Sequence, residues 1–160
     1  MFIRKAAWCD LSAIENIYAE ARKFMAANEN PKQWGDTHPP RMLIEQDIRN
    51  GHAYICEQHS EIVAVFYFNI ENDATYTKID GTWLNDEPYG VVHRIAVKIG
   101  TKGVGRLCLK WAFEQCGNLR IDTHEANMPM LALLNKLSFI PCGTIWIENG
   151  DTRLAFHKIA

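Results

Sequence analysis

The chain has 160 residues, 48% of them apolar, which is enough for one domain over residues 1–160 with a core that needs no staples. A balance of 17 basic against 19 acidic residues gives a formal net charge of −2, which argues against a polyanion-binding surface, so no nucleic-acid partner is expected. No apolar run approaches bilayer length and MFIRKAAWCD holds no apolar signal region, so the expectation is a cytoplasmic protein without a membrane partner.

In chain order, Phe2 to Ala6 reads as a short first strand. A helix follows, with Asp10 or Ser12 as N-cap, Ser12 and Glu15 spaced as a capping box, and Leu11, Ile14, Ile17, Tyr18, Ala21, Phe24 and Met25 on one face. NENPKQWGDTHPP gathers Asn, Gly and Pro and reads as a loop carrying Trp34. Pro39 and Pro40 suit the entrance of a second helix with Leu43, Ile44 and Ile48 on its apolar face, ended by Asn50-Gly51. The period then changes to two: HAYICE and EIVAVFYFNI, separated by QHS, read as a hairpin. ENDATYTKIDGTWLNDEPYG is too long and polar for a simple connection, and such loops are usually functional; a short strand is expected near Tyr76.

Ile95, Ala96 and Val97 read as a buried strand, and Val104, Leu107, Cys108, Trp111 and Ala112 recur at helical spacing. LRIDT is a further strand, MPMLALLNKL a short helix opened by Pro129, and IPCGTIWIE a strand that Asn149-Gly150 turns into TRLAFHKI. That last strand is expected to be exposed, and pairing through it makes a homodimer possible. The order implies a mixed α/β (α+β) sandwich around one central sheet. The five cysteines are an odd number with no CxxC, and they read as reduced core residues. The six histidines show no metal-ligand spacing, so no metal is expected.

Between the central strand and helix lies GTKGVG. A helix start leaves backbone N–H groups unpaired at the positive end of its macrodipole, and glycines let a phosphate come close. Gly100, Gly103 and Gly105 permit that approach, and Lys102 and Arg106 add charge. The order does not match a P-loop, and Cys108 stands where a dinucleotide fingerprint needs its third small residue. A plain glycine-rich connection is the competing reading.

VVHRIAVKIGTKGVGRLCLKWAFEQ, continued by IDTHEANMPMLALLNKLSFIPCG, resembles the central motif of the GNAT superfamily of N-acetyltransferases, and the element order agrees over nearly the whole chain. The resemblance implies a single GNAT-like domain, a mixed, mostly antiparallel sheet of about six or seven strands flanked by helices, and acetyl-CoA (coenzyme A) as cofactor. It implies that Ile95, Ala96 and Val97 lie on a splayed strand that offers backbone groups to pantetheine. Lys102, Gly103, Val104, Gly105 and Arg106 would hold pyrophosphate, and Asn127 would contact the cofactor arm. Gly100 stands at the family's Gln/Arg position, Leu134 where a tyrosine commonly protonates the leaving thiolate, and Ser138 where the family has Gly.

Acetyl transfer to an amine needs a neutral amine, so a base must take its proton. Asp122 is the first candidate, at the position where ribosomal-protein N-acetyltransferases of this superfamily carry a catalytic Glu. His124 shares its strand parity, Glu125 sits at the strand end, and Tyr89 and His93 on the preceding strand or its lead-in are further candidates. The Val97 N–H would serve the developing oxyanion. By the same resemblance the acceptor is framed by two loops, whose Trp34, Asp36, Trp83, Asp86 and Glu87 make an aromatic and acidic wall suited to a cationic amine of a small molecule or peptide. Two functions stay open: an acetyl-CoA-dependent N-acetyltransferase working by direct attack, and a non-catalytic acyl-CoA-binding module of the same fold.

Overall fold

The computed structural model describes residues 1–160. Its strands are β1 (Phe2–Lys5), β2 (Ala53–Gln58), β3 (Glu61–Ile70), β4 (Asp80–Gly81), β5 (Gly90–Val97), β6 (Asn118–Thr123), β7 (Ile140–Trp146) and β8 (Thr152–Ile159). Its helices are α1 (Leu11–Ala27), α2 (Arg41–Arg49), α3 (Val104–Cys116) and α4 (Met128–Lys136). Eight strands form one sheet in the order β1-β2-β3-β5-β6-β8-β7-β4. β5 and β6 run parallel, whereas β1/β2, β2/β3, β6/β8, β7/β8 and β4/β7 run antiparallel. The sheet is mixed and mostly antiparallel, as the sequence implies. It exceeds the expected strand count by β4, whose two residues are too short to show a period.

The chain divides into two compact units, Met1–Phe68 with Arg94–Cys108, and Asn69–His93 with Leu109–Ala160. In the first, α1 and α2 lay Leu11, Ile14, Ile17, Tyr18, Ile44 and Ile48 against Ala53, Ile55, Val65 and Ala96. β2 and β3 meet through His59 and Ser60, both in the left-handed region (φ 51° and 63°), the geometry that fits a tight hairpin to strand twist. Four expectations need correction. α1 begins at Leu11, so Ser12 lies inside it and the Ser12/Glu15 capping box does not form; of the two expected N-caps Asp10 holds that position, though its carboxylate serves Ala7 N–H (2.7 Å) and Arg4 (2.8 and 3.0 Å) rather than the helix. Phe24, on the last turns of α1, is exposed, and so is Cys9, which sits in a 3-10 turn (Trp8–Asp10) ahead of the core-facing stripe. The expected strand near Tyr76 is a 3-10 turn, Ala74–Tyr76, because the Asp73 side chain accepts from Thr75 N–H and caps it.

In the second unit β8 lies between β6 and β7 and pairs with both. The C-terminal strand therefore has no open edge for a dimer, against the expectation from its terminal position. At the far side, Gly81 and Gly143 oppose each other at φ 138° and 144°, and a Cβ on Gly143 would overlap the Asp80 carbonyl oxygen. Only glycine fits there. Gly143→Ala is expected to cost about 1–3 kcal/mol, the range of a strained or overpacked site. The check is the urea midpoint, and an unchanged midpoint would mean that β4 does not hold this approach in solution.

Candidate functional site

Two constellations carry chemistry, one in each unit. In the first, β5 ends at Val97 and Lys98 N–H donates to Val63 O (2.8 Å). Thr101 closes the bend, its N–H and Oγ1 both donating to Lys98 O (3.3 and 2.7 Å). Gly100 (φ 87°) and Gly103 (φ 74°) are in the left-handed region, and no atom lies within 4 Å of where a Cβ would stand on either. α3 starts at Val104, and the Gly103 carbonyl accepts from Leu107 N–H (3.1 Å). The first-turn N–H groups of such a helix have no carbonyl of their own to bond. Lys102, Gly103 and Arg106 are exposed around them, with Val104 buried as the anchor. Open space, donors and two cations fit a pyrophosphate.

Ile95, Ala96 and Val97 precede this turn. Ala96 is buried in the core and its neighbours are half-buried. The ladder of β5 with β6 holds only Gly90↔Leu119 and Val91↔Arg120, so this part of β5 lies outside it. Arg94, which no sequence signal singles out, is the only non-glycine residue of β5 at positive φ (51°). Its guanidinium forks onto Asp47 (3.0 and 2.9 Å) and lies 4.8 Å from the Tyr67 ring centroid, and its carbonyl accepts from buried Tyr18 OH (2.8 Å). This clamp offsets the roughly 1–3 kcal/mol that such a conformation costs.

The second unit holds a hydrogen-bonded acid-base cluster. His93 Nε2 lies 2.5 Å from Asp73 Oδ2, and its Nδ1 faces Asp122 Oδ1 at 3.8 Å. Tyr76 OH donates to Asp122 Oδ1 (2.6 Å), Tyr89 OH accepts from Asp73 N–H (2.9 Å), and Thr75 donates N–H and Oγ1 to Asp73 Oδ1 (2.9 and 2.6 Å). Burial works against the Asp73 charge but is outweighed by the His93 hydrogen bond and charge and by Thr75, which bring its pKa down to about 2. Burial and the Asp122 charge push the Tyr76 hydroxyl well above its ordinary value, so it stays a donor. Asp122, His93 and Tyr89 are thus brought together as three of the sequence-derived candidates. Asp73 and Tyr76 were not singled out; the Asp-x-Thr spacing of a capped turn was the available signal for Asp73, and nothing local marks Tyr76.

The remaining candidates have local partners. His124 Nδ1 accepts from Ala126 N–H (2.9 Å), and Glu125 is exposed. Asn127 caps α4 by accepting from Met130 N–H (3.3 Å). Leu134 is fully buried, so α4 presents no hydroxyl at that position. Trp34 packs edge-on against Tyr18 (5.6 Å between ring centroids) and Trp83 donates Nε1–H to Tyr76 O (3.0 Å), so each pins its loop. Asp36, Asp86 and Glu87 are exposed.

Behind the cluster, Arg120 is stacked against Trp83 and Tyr89 (4.3 and 3.9 Å to the centroids) and donates to Asn85 O (2.7 Å). His157, fully buried, accepts Leu84 N–H on Nδ1 (3.1 Å) and donates Nε2–H to Asn118 Oδ1 (2.6 Å). A proton on Nδ1 would confront the Leu84 donor. Burial, with the Arg120 charge, accordingly holds the His157 pKa at about 4. Unfolded His titrates near 6.5, so between those values the unfolded chain binds the extra proton and stability falls as pH drops from about 6.5 to about 4. On the order of 2 kcal/mol, or about 5 °C in Tm, is expected to be lost across this window. His157→Gln should flatten that slope; an unaltered slope would remove His157 as its cause.

The fold is one mixed sheet of eight strands with a single short parallel rung, accompanied by four helices. The profile of the acetyltransferase (GNAT) family matches residues 13–139, and the chain belongs to that family. The crystal structure of a GNAT-family acetyltransferase from Streptococcus agalactiae is 30% identical, with TM-score 0.91 over 99% of this chain and 95% of that one. A ribosomal-protein-alanine N-acetyltransferase from Brucella melitensis shares the fold at 19% identity (TM-score 0.68, all of both chains, 100% and 100%). So does a phosphinothricin acetyltransferase from Sinorhizobium meliloti in complex with AcCoA, at 16% identity (TM-score 0.65, 98% of this chain and 86% of that one). No curated protein sequence matches the chain. No helix is long and apolar enough to cross a membrane.

Proposed function

We propose that this acetyltransferase moves an acetyl group from acetyl-CoA to a primary amine of a small molecule or peptide by direct attack. The observation that carries the reading is the cluster of His93 with Asp73, Asp122 and Tyr76. Acetyl-CoA, when bound, supplies the acetyl group as a thioester. Gly103, Val104, Gly105 and Arg106 with Lys102 hold the pyrophosphate, and Ile95, Ala96 and Val97 offer backbone to the arm, with Asn127 beside it. Asp122 and His93 together receive the proton that the acceptor must lose, since an alkyl ammonium near pKa 10.4 is almost wholly protonated at neutral pH. Tyr89 belongs to the same cluster through Asp73 N–H, and His124 and Glu125, at the end of β6, are further candidates for the proton path. The AcCoA complex of the phosphinothricin acetyltransferase neighbour supports the cofactor.

A second reading, an acyl-CoA-binding module without turnover, rests on buried Leu134, where a proton donor to the thiolate is commonly found. One experiment separates the two: release of free thiol from acetyl-CoA in the presence of amino acids, polyamines and peptides with free N-termini. Amine-dependent release above the hydrolytic background supports the transferase. Binding of acetyl-CoA without release for any amine of the panel supports the module.

A further inference from the structure

Resting on the amine-acetylation reading, we infer that His93 Nδ1 is the atom that takes the acceptor's proton and that Asp73 is the positioning residue that sets the His93 tautomer. An ionised carboxylate only accepts hydrogen bonds, so the 2.5 Å contact between Asp73 Oδ2 and His93 Nε2 places the ring proton on Nε2. The neutral ring then carries its lone pair on Nδ1. Asp73 is itself held rigidly, because Oδ1 accepts both Thr75 donors and its own N–H reaches Tyr89 OH.

The groups facing the ring come from several elements. Asp73 lies in the loop after β3, Tyr76 stands in the 3-10 turn with its ring centroid 5.8 Å away, and Tyr89 immediately precedes β5. Asp122 on β6 faces Nδ1, and Arg153 on β8 acts electrostatically on Asp122. Of the three ionisable members in line, the His93 side chain is 21% exposed and each carboxylate 13%, so the ring is the most exposed of the three. When the amine proton arrives at Nδ1 the ring becomes an imidazolium with a carboxylate beside each nitrogen. The proton then passes to solvent, which restores the neutral ring. Asp73 touches no reacting atom and acts through His93.

The test is the ring tautomer, read by nitrogen-15 NMR of histidine-labelled full-length protein without any substrate, with His93 assigned by its loss in His93→Gln. Above the imidazole titration the wild type should show Nε2–H and a bare Nδ1; a wild-type Nδ1–H tautomer overturns the inference outright. Asp73→Asn keeps an oxygen for Thr75 but turns an amide donor toward Nε2, so the ring should switch to Nδ1–H. With that switch kcat should fall by about 10²–10⁴-fold, the range for losing general-base catalysis, while KM for acetyl-CoA stays put. An unswitched tautomer with wild-type kcat also overturns it. If no amine is acetylated, the transferase reading fails, yet the substrate-free tautomer still decides the Asp73–His93 relation.

Discussion

Asp122→Asn is expected to lower kcat by about 10²–10⁴-fold and to leave the affinity for acetyl-CoA nearly unchanged. The asparagine oxygen can still accept the Tyr76 hydroxyl, so the 2.6 Å contact and the turn that carries Tyr76 survive. What disappears is the negative charge 3.8 Å from His93 Nδ1, which matters most when that nitrogen carries the acceptor's proton. An interaction used in the transition state but not in cofactor binding lowers kcat and kcat/KM together. Steady-state rates with one accepted amine decide the matter, and a wild-type kcat with a wild-type pH profile would dismiss Asp122 from the proton path.

Much of the framework can be read from period alone. Leu11, Ile14, Ile17 and Tyr18 face the core at helical spacing, and QHS marks the β2/β3 hairpin because few residues separate two runs of alternating character. Where the reading failed, a distant partner had taken over a local signal. Ser12 and Glu15 have the spacing of a capping box, but the helix begins two residues earlier than that box implies, after Asp10, which Arg4 ties to Glu57 of β2. The C-terminal strand looked like an edge because it comes last, yet pairing on both sides puts it inside the sheet.

The candidate site shows the same division. GTKGVG is contiguous, so its glycines, bases and helix start lie together in the sequence as they do in space. The acid-base cluster is assembled from residues far apart in the chain, such as Tyr76 with Asp122 and Asp73 with His93. Asp122, His93 and Tyr89 were recognisable as titratable groups on or beside strands. Their partners Asp73 and Tyr76 come from a polar loop in which no periodicity tells which side chain turns inward. Trp83 belongs to the same loop, and its ring lies 5.2 Å from that of Tyr76, which makes an apparent wall residue part of the support for the cluster.

Saturating acetyl-CoA should raise the unfolding free energy of the wild type by about 2.7 kcal/mol at 100 times the dissociation constant, and the double variant Lys102→Ala, Gly103→Val should lose nearly all of it. Gly103 sits at φ 74°, which a β-branched residue adopts only with strain, and an added side chain would enter the open space over the start of α3. Lys102 is exposed beside that space, so its truncation removes charge without disturbing the core. Valine at a left-handed position also weakens the fold itself, by about 1–3 kcal/mol, so each protein must be compared with its own ligand-free midpoint. Lys102→Ala alone provides the control: it should keep the wild-type midpoint and shift less with ligand. A wild-type shift that vanishes in the double variant makes GTKGVG the pyrophosphate cradle. An equal shift in both would move cofactor binding elsewhere on the chain and remove the residues around Gly103 from it.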